Sequence, residues 1–185
     1  MKYYYLVASL PPVALGDPPP WTPEDFLFHC QGPLSQEDWR ELSLIVEDRA
    51  AEGESDFAAW WNALDTQMRN IQARFRAARL HIEARPFMRM HAGYDIAAAQ
   101  AVTDAMTRTQ PLERELALDR SRWNALDDRI LGDRFGFEEV MAYALRLRLM
   151  ERWARLSDEE GLQRVETFIT DNVDESLELE RLGGA

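Results

Sequence analysis

The sequence has few of the side chains that usually bind metals or attack substrates. Its 185 residues include one cysteine, Cys30, and three histidines, His29, His81 and His91. A lone cysteine excludes an internal disulfide and is typical of a reducing compartment. No two histidines have the helical spacing of a zinc site, and no Gly-rich phosphate loop, nucleophile elbow or HExxH pattern occurs. The sequence therefore predicts no metal, no cofactor and no enzymatic activity.

Long apolar runs are also missing. The longest, over residues 3–8, is far too short to cross a bilayer, and no N-terminal pattern resembles a signal peptide. We therefore expect a soluble, cytoplasmic protein that does not insert into a membrane.

Positive charge is scarce overall but concentrated in one segment. The net charge is −12 and the pI is about 4.7, which argues against a nucleic-acid partner. Residues 69–91 hold six arginines against one glutamate, a net of +5, between net charges of −9 over residues 1–68 and −8 over residues 92–185. This basic segment either neutralises acidic parts of the same chain or forms a docking surface for an acidic partner.

Helix signals dominate the rest of the chain, and hydrophobic residues make up 46% of it. No segment alternates with the period of a strand, although the first ten residues could be a strand or a helix. Hydroxyl or acidic caps, prolines at first helical positions and apolar stripes predict helices over residues 22–32, 35–51, 55–82, 95–107, 110–130 and 137–155, and one that starts at residue 157. The helix over residues 137–155 is apolar on most sides, which predicts either a central position or burial by a partner.

These patterns predict an all-α protein, a helical bundle of six or seven helices. We expect residues 1–185 to form a single all-helical domain, with possible sub-units at 1–92 and 93–185.

An internal repeat supports two related helical units. The pentapeptide Trp-Asn-Ala-Leu-Asp occurs at residues 61–65 and again at residues 123–127. In each copy the Trp and the Leu lie three residues apart on one helix face, and we expect that pair to anchor the core. We expect Asp65 to pair with Arg69 on its own helix, and either Asp127 or Asp128 to pair with a base near residues 129–130. The repeat predicts architecture rather than chemistry.

The segment over residues 85–94 is unusually apolar for a connection between helices. Methionine, aromatic residues and arginine are enriched at protein interfaces, and this segment contains all three. The alternative is that Phe87 and Met88 pack into the core. Together with the arginines before it, the segment forms a candidate partner interface of Arg69, Arg74, Arg76, Arg79, Arg85, Phe87, Met88, Arg89, Met90 and Tyr94.

Both ends of the chain carry a family-like pattern. The opening reads Tyr-Tyr-Tyr-Leu-Val-Ala-Ser-Leu-Pro, and residues 119–170 contain Arg-Trp-Asn-x-Leu-Asp, Phe-x-Phe-Glu, Tyr-x-Leu-x-Leu and Glu-Arg-Trp in that order. Together these look like a family of small bacterial helical proteins encoded beside V/A-type ATPase genes, at the place where the gene for the C subunit (the d subunit of eukaryotes) is expected.

This resemblance implies a fold like that of the V-type ATPase C subunit and a mechanical role. The C subunit is the non-catalytic socket that links the central rotor shaft to the membrane ring of proteolipid subunits in ion transport. The implied partners are therefore the shaft and ring subunits of a V/A-type rotary ATPase. The implied location is the cytoplasmic side of the inner membrane, reached through the ATPase complex. The present chain is markedly shorter than a three-lobed socket protein of this kind.

Two other interpretations of the sequence are possible. The protein could be a free-standing helical adaptor or regulator that binds another protein through its basic segment. It could also be an enzyme, if the fold brought Cys30 close to His81 or His91.

Overall fold

A computed structural model describes residues 2–156, which form seven α-helices and two short 3-10 turns. The helices are α1 (Tyr4–Ser9), α2 (Pro23–Cys30), α3 (Gln36–Val46), α4 (Asp56–Leu80), α5 (Ile96–Thr107), α6 (Pro111–Arg129) and α7 (Phe137–Ala154). No strand occurs between residues 2 and 156, so the predicted all-α class is confirmed. All six helices predicted in this range are present, and α1 shows that the first ten residues favour a helix. The helix predicted from Ser157 lies outside the described residues.

Most helix starts follow the predicted capping chemistry. The side chains of Thr22, Ser35, Ser55 and Asp95 each accept a hydrogen bond from the backbone N–H three residues later. Each bond satisfies one of the donors that a helix leaves without an internal partner. Gln110 begins α6 without such a bond, and the proline that follows it sets the first helical turn.

Two helix ends are set by residues with left-handed backbone conformation. Asp48 has a φ of 62°, so α3 ends at Val46 rather than at the predicted Ala51, and residues 50–52 form a separate 3-10 turn. His81 has a φ of 55° and ends α4. A left-handed residue stops a helix because it redirects the chain, and glycine is the usual choice there.

The turn between α3 and α4 is held by the buried carboxylate of Glu41. It accepts hydrogen bonds from the backbone N–H groups of Glu54 (2.9 Å) and Ser55 (3.1 Å). Burial raises the pKa of Glu41, but these hydrogen bonds outweigh burial and hold its pKa below the usual value. A Cβ on Gly53 would lie 2.7 Å from the Ala58 Cβ and 2.9 Å from the Glu41 carboxylate, so the turn requires glycine.

One cluster of buried residues draws members from all seven helices. Every residue in the range 140–147 is buried, which confirms the central position predicted for α7. α2 and α3 pack against α7, while α5 packs against α4 and α6. The division of the chain near residue 92 stays a prediction.

The two copies of the repeat lie in different surroundings. Trp61, Leu64 and Leu126 belong to the core cluster, but Trp123 is half-buried and lies outside it. The Trp123 ring instead faces the guanidinium of Arg146 on α7, 5.7 Å from the ring centre. The expectation that both tryptophans anchor the core is therefore wrong for the second copy, because α7 offers its ring a cation rather than an apolar pocket.

The aspartates of the repeat both form ion pairs, with different geometry. Asp65 pairs with Arg69 at 2.6 Å, as predicted. Asp127 reaches across to Arg146 on α7, at 2.7 Å, rather than to a base on its own helix. The second copy therefore links two helices, which the local sequence pattern did not predict.

A buried ionic network joins α4, α6 and α7. The fully buried carboxylate of Asp119 accepts hydrogen bonds from Arg122 (2.9 Å), Arg152 (2.9 Å) and the indole N–H of Trp153 (3.0 Å). Arg122 also donates to Asp65 on α4. The three donors compensate the burial of the Asp119 charge.

Among residues 2–156, no helix combines the length and the apolar character needed to cross a membrane.

Candidate functional site

The last three turns of α4, which we call the extension, contribute only Ile71 and Ala77 to the apolar interior. Met68 is the last residue of α4 in the core cluster, and the helix continues to Leu80. This extension carries four arginines, all exposed: Arg69, Arg74, Arg76 and Arg79. Four of the six arginines of the basic segment therefore lie on one exposed stretch of helix.

Two buried amide side chains hold the following connection, residues 81–95, against α4. Asn70 donates to the backbone carbonyl of Arg89 at 2.7 Å and accepts from its N–H at 2.9 Å. Gln67 forms the same pair of bonds with the backbone of Asp95, at 2.6 and 2.8 Å. Because the two amides are three residues apart, they lie on one face of α4 and fix the connection at two points. Neither amide was identified as a functional residue from the sequence. The only indication in the sequence is that each is a polar residue close to Leu64 and Met68, which belong to the apolar stripe of α4.

The connection presents most of its apolar side chains outward. Phe87 is 61% exposed, Met90 is 98% exposed and Tyr94 is 66% exposed. Arg85 and Arg89 are exposed as well, while Met88 is half-buried. Of the two residues that could have packed into the core, Phe87 remains at the surface and Met88 is partly covered.

The extension and the connection together form a shallow cavity of about 410 Å³, which we call the basic groove. Its apolar lining comes from both elements, and two arginines complete it. The lining residues are Arg69, Gln72, Ala73, Arg76, Ala77, Leu80, Ile82 and Phe87. The α4 members recur every three or four residues, which places them on one helix face. Arg74 and Arg79 are on the same extension but do not line the groove.

Most arginines of the candidate interface have no acidic partner in the described part of the chain. Arg69 pairs with Asp65 at 2.6 Å. Among residues 2–156, no carboxylate lies within 4.0 Å of Arg74, Arg76, Arg79, Arg85 or Arg89. An apolar groove with an arginine on its edge and further arginines around it suits an amphipathic helix that carries acids beside its apolar stripe.

Cys30 and the two histidines considered as its catalytic partners, His81 and His91, lie on separate elements. Cys30 is buried in α2, where burial raises the pKa of its thiol to about 12 and keeps it protonated at neutral pH. His29 stacks on Trp21, with 5.2 Å between ring centres, His81 is exposed at the end of α4, and His91 lies on the connection after it. Within residues 2–156, no group of three or more His, Cys, Asp or Glu side chains could hold a metal.

A second cavity, of about 570 Å³, lies between residues 7–13 and helices α6 and α7. Its wall includes Trp123 and the ion pairs that Arg146 forms with Asp127 (2.7 Å) and Glu139 (2.9 Å). Burial raises the pKa of Glu139, and the nearby arginine lowers it by less. Because these charges compensate one another, the cavity presents no single charge to a ligand.

Comparison with known proteins covers only the second half of the chain. A family model described as "Protein of unknown function (DUF2764)" matches residues 92–176, slightly less than half of the chain. The match includes α5, α6, α7 and the second copy of the repeat, and it lies after all residues that line the basic groove. No curated protein and no solved structure matches the chain.

Proposed function

We propose that this protein is a non-catalytic binding subunit that holds an acidic, amphipathic helix of another protein in the basic groove. The observation that carries this proposal is the combination of exposed apolar side chains with arginines that have no acidic neighbour among residues 2–156. Leu80, Ile82 and Phe87 are all largely exposed in the groove. Covering such surface stabilises a complex by about 25 cal/mol per Å² of apolar area before the costs of association.

The arginines would provide orientation more than strength. A groove of this kind accepts an amphipathic helix through apolar residues spaced three or four apart. Arg76 on the groove edge would meet acids beside that apolar stripe, and the exposed arginines around it would attract the partner at a distance. The groove therefore favours an acidic helix over a basic one.

The partner that we propose is a V/A-type rotary ATPase. This choice is supported by the resemblance of both chain ends to the helical proteins encoded beside such ATPases. In that role the protein would link the rotor shaft to the proteolipid ring, as the socket of the ATPase does, at the cytoplasmic side of the inner membrane. A rigid helical body suits torque transmission, and the amide clamps of Gln67 and Asn70 would keep the contact surface in a fixed position.

The test is to purify the full chain through a tag from native membranes, in three forms. The unmodified protein should recover the shaft and ring subunits. Arg76→Glu should reduce recovery by at least about tenfold, because it places an acid on the groove edge. Arg74→Glu is the matched control, since Arg74 is an exposed arginine of the same helix outside the groove lining.

Recovery of the tagged protein alone, while the ATPase stays assembled, would rule out the ATPase role. An equal loss with both variants would rule out the groove as the contact surface. If a different protein is recovered and is lost only with Arg76→Glu, the free-standing adaptor is the correct interpretation.

A further inference from the structure

The described part of the chain ends at a cavity that shares one residue, Arg69, with the basic groove. Leu156, which follows α7, lines a cavity of about 530 Å³ together with Trp61, Asp65 and Arg69. Arg69 also lines the basic groove. Arg69 is therefore common to the cavity that Leu156 lines and to the basic groove.

The remaining segment, residues 157–185, has the opposite charge to the groove. It contains nine acids and two arginines, a net charge of −7, which is more than half of the net charge of the whole protein. The groove and the connection beside it belong to the one stretch of sequence with a net positive charge. The two parts are therefore complementary in sign.

The segment also has the apolar pattern that the groove would accept. Leu162, Val165, Ile169 and Val173 are spaced three or four residues apart, which predicts one apolar face on a helix. Its 29 residues would span roughly 43 Å as a helix, and the groove over residues 69–82 spans roughly 20 Å. The segment is long enough to start at Leu156 and cover the groove.

From these three observations we propose that residues 157–185 dock in the basic groove of their own chain. The apolar face of the segment covers Leu80, Ile82 and Phe87, and its acids face Arg76. A tethered segment acts at an effective concentration in the millimolar range, so a weak contact suffices to keep the groove occupied. This docking also rests on the proposed function in one respect: a partner helix must displace the segment in order to bind.

Hydrogen–deuterium exchange on the isolated full chain tests the docking. In the unmodified protein, we expect slow exchange at the amides of residues 162–173 and of the groove helix, residues 72–80. Arg76→Glu should accelerate exchange in residues 162–173 by roughly tenfold, because it replaces attraction by repulsion. Arg74→Glu should leave it unchanged.

A second pair of variants probes the apolar contact from the segment itself. Ile169→Asp places a charge on the apolar face, whereas Thr167→Asp adds the same charge on the opposite face. Ile169→Asp should accelerate exchange both in the segment and in the groove helix, and Thr167→Asp should change neither. Equal exchange in all four variants and the unmodified protein would overturn the docking.

The docking and the proposed function are tested by different measurements, so one can be contradicted without the other. Hydrogen exchange uses no partner, so it reports docking whether or not the ATPase is the partner. Partner recovery with Ile169→Asp then tests the competition, and we expect recovery to rise several-fold above that of the unmodified protein. Unchanged or lower recovery would overturn the competition.

Discussion

Gln67 and Asn70 show how two side chains can determine where a long connection lies. Each amide uses its donor and its acceptor on one backbone unit, so the connection gains two hydrogen bonds at each point. A buried polar group that loses its hydrogen-bond partner lowers the free energy of unfolding. Each of these two amides therefore stabilises the fold by more than its two hydrogen bonds alone suggest. The exposed positions of Phe87 and Tyr94 follow from this attachment.

Asn70→Ala should destabilise the protein by roughly 1–3 kcal/mol, because it removes both bonds to the Arg89 backbone. Urea unfolding measures this change, and hydrogen exchange at the Arg89 amide should accelerate in the same variant. Asn62→Ala is the control, since Asn62 is an exposed asparagine of the same helix. Equal effects of the two substitutions would show that the clamp contributes nothing specific.

At the scale of single residues, the sequence left open whether Phe87 and Met88 are exposed, and it did not predict which side chains bond to the connection. The arginines and aromatics of the candidate interface were identified by their types alone. The clamps were not, because an amide on a helix gives no information about a backbone group 19 or 28 residues further along the chain. Such pairs are determined by tertiary structure and leave no local pattern.

The sequence predicted the first residues of the helices more accurately than their last residues. Caps such as Ser35 and Ser55 are read directly from the sequence because the bond is local. The ends at Asp48 and His81 use left-handed residues other than glycine, which the usual stop signal does not include. This explains why α3 ends five residues earlier than predicted.

The repeat shows that identical local sequences do not fix identical environments. Trp61 is 8% exposed and belongs to the core, whereas Trp123 is half-buried against Arg146. The core position was predicted correctly for Trp61 and wrongly for Trp123, because the neighbour that each ring meets depends on where α7 lies. A pattern on one helix contains no information about that neighbour.

Trp61→Ala should therefore destabilise the protein by roughly 3–5 kcal/mol, the usual cost of removing a buried large aromatic side chain. Trp123→Ala should cost less, roughly 1–2 kcal/mol, because its ring is already partly in water and a cation–π contact adds little more. Urea unfolding of the two variants under identical conditions gives both values. If Trp123→Ala proves as costly as Trp61→Ala, the second ring is a core anchor after all.

The whole molecule is joined across its helices by ionic contacts as well as by the apolar core. Asp119 on α6 binds Arg152 and Trp153 on α7, and Arg122 connects the same carboxylate to α4. A fully buried carboxylate with three donors is stable only while all partners are present. The network therefore couples the positions of three helices, including the one that carries the basic groove.

Asp119→Ala should destabilise the protein by roughly 1–3 kcal/mol, because the indole N–H of Trp153 loses its acceptor and Arg122 keeps only Asp65 as its acid. Asp128→Ala on the same helix is the control, since Asp128 is exposed. Thermal or urea unfolding measures both variants. A loss close to zero for Asp119→Ala would mean that Asp65 and Glu115 hold Arg122 and Arg152 equally well without Asp119.

Cys30 gives the molecule a useful experimental property. The only thiol of the chain is buried in α2, and its raised pKa keeps it unreactive at neutral pH. A cysteine introduced at an exposed site, such as Met90, would then be the single attachment point for a fluorophore or a spin label. Two native copies also cannot become joined by a disulfide unless α2 first opens, so disulfide-forming conditions should not dimerise the folded protein.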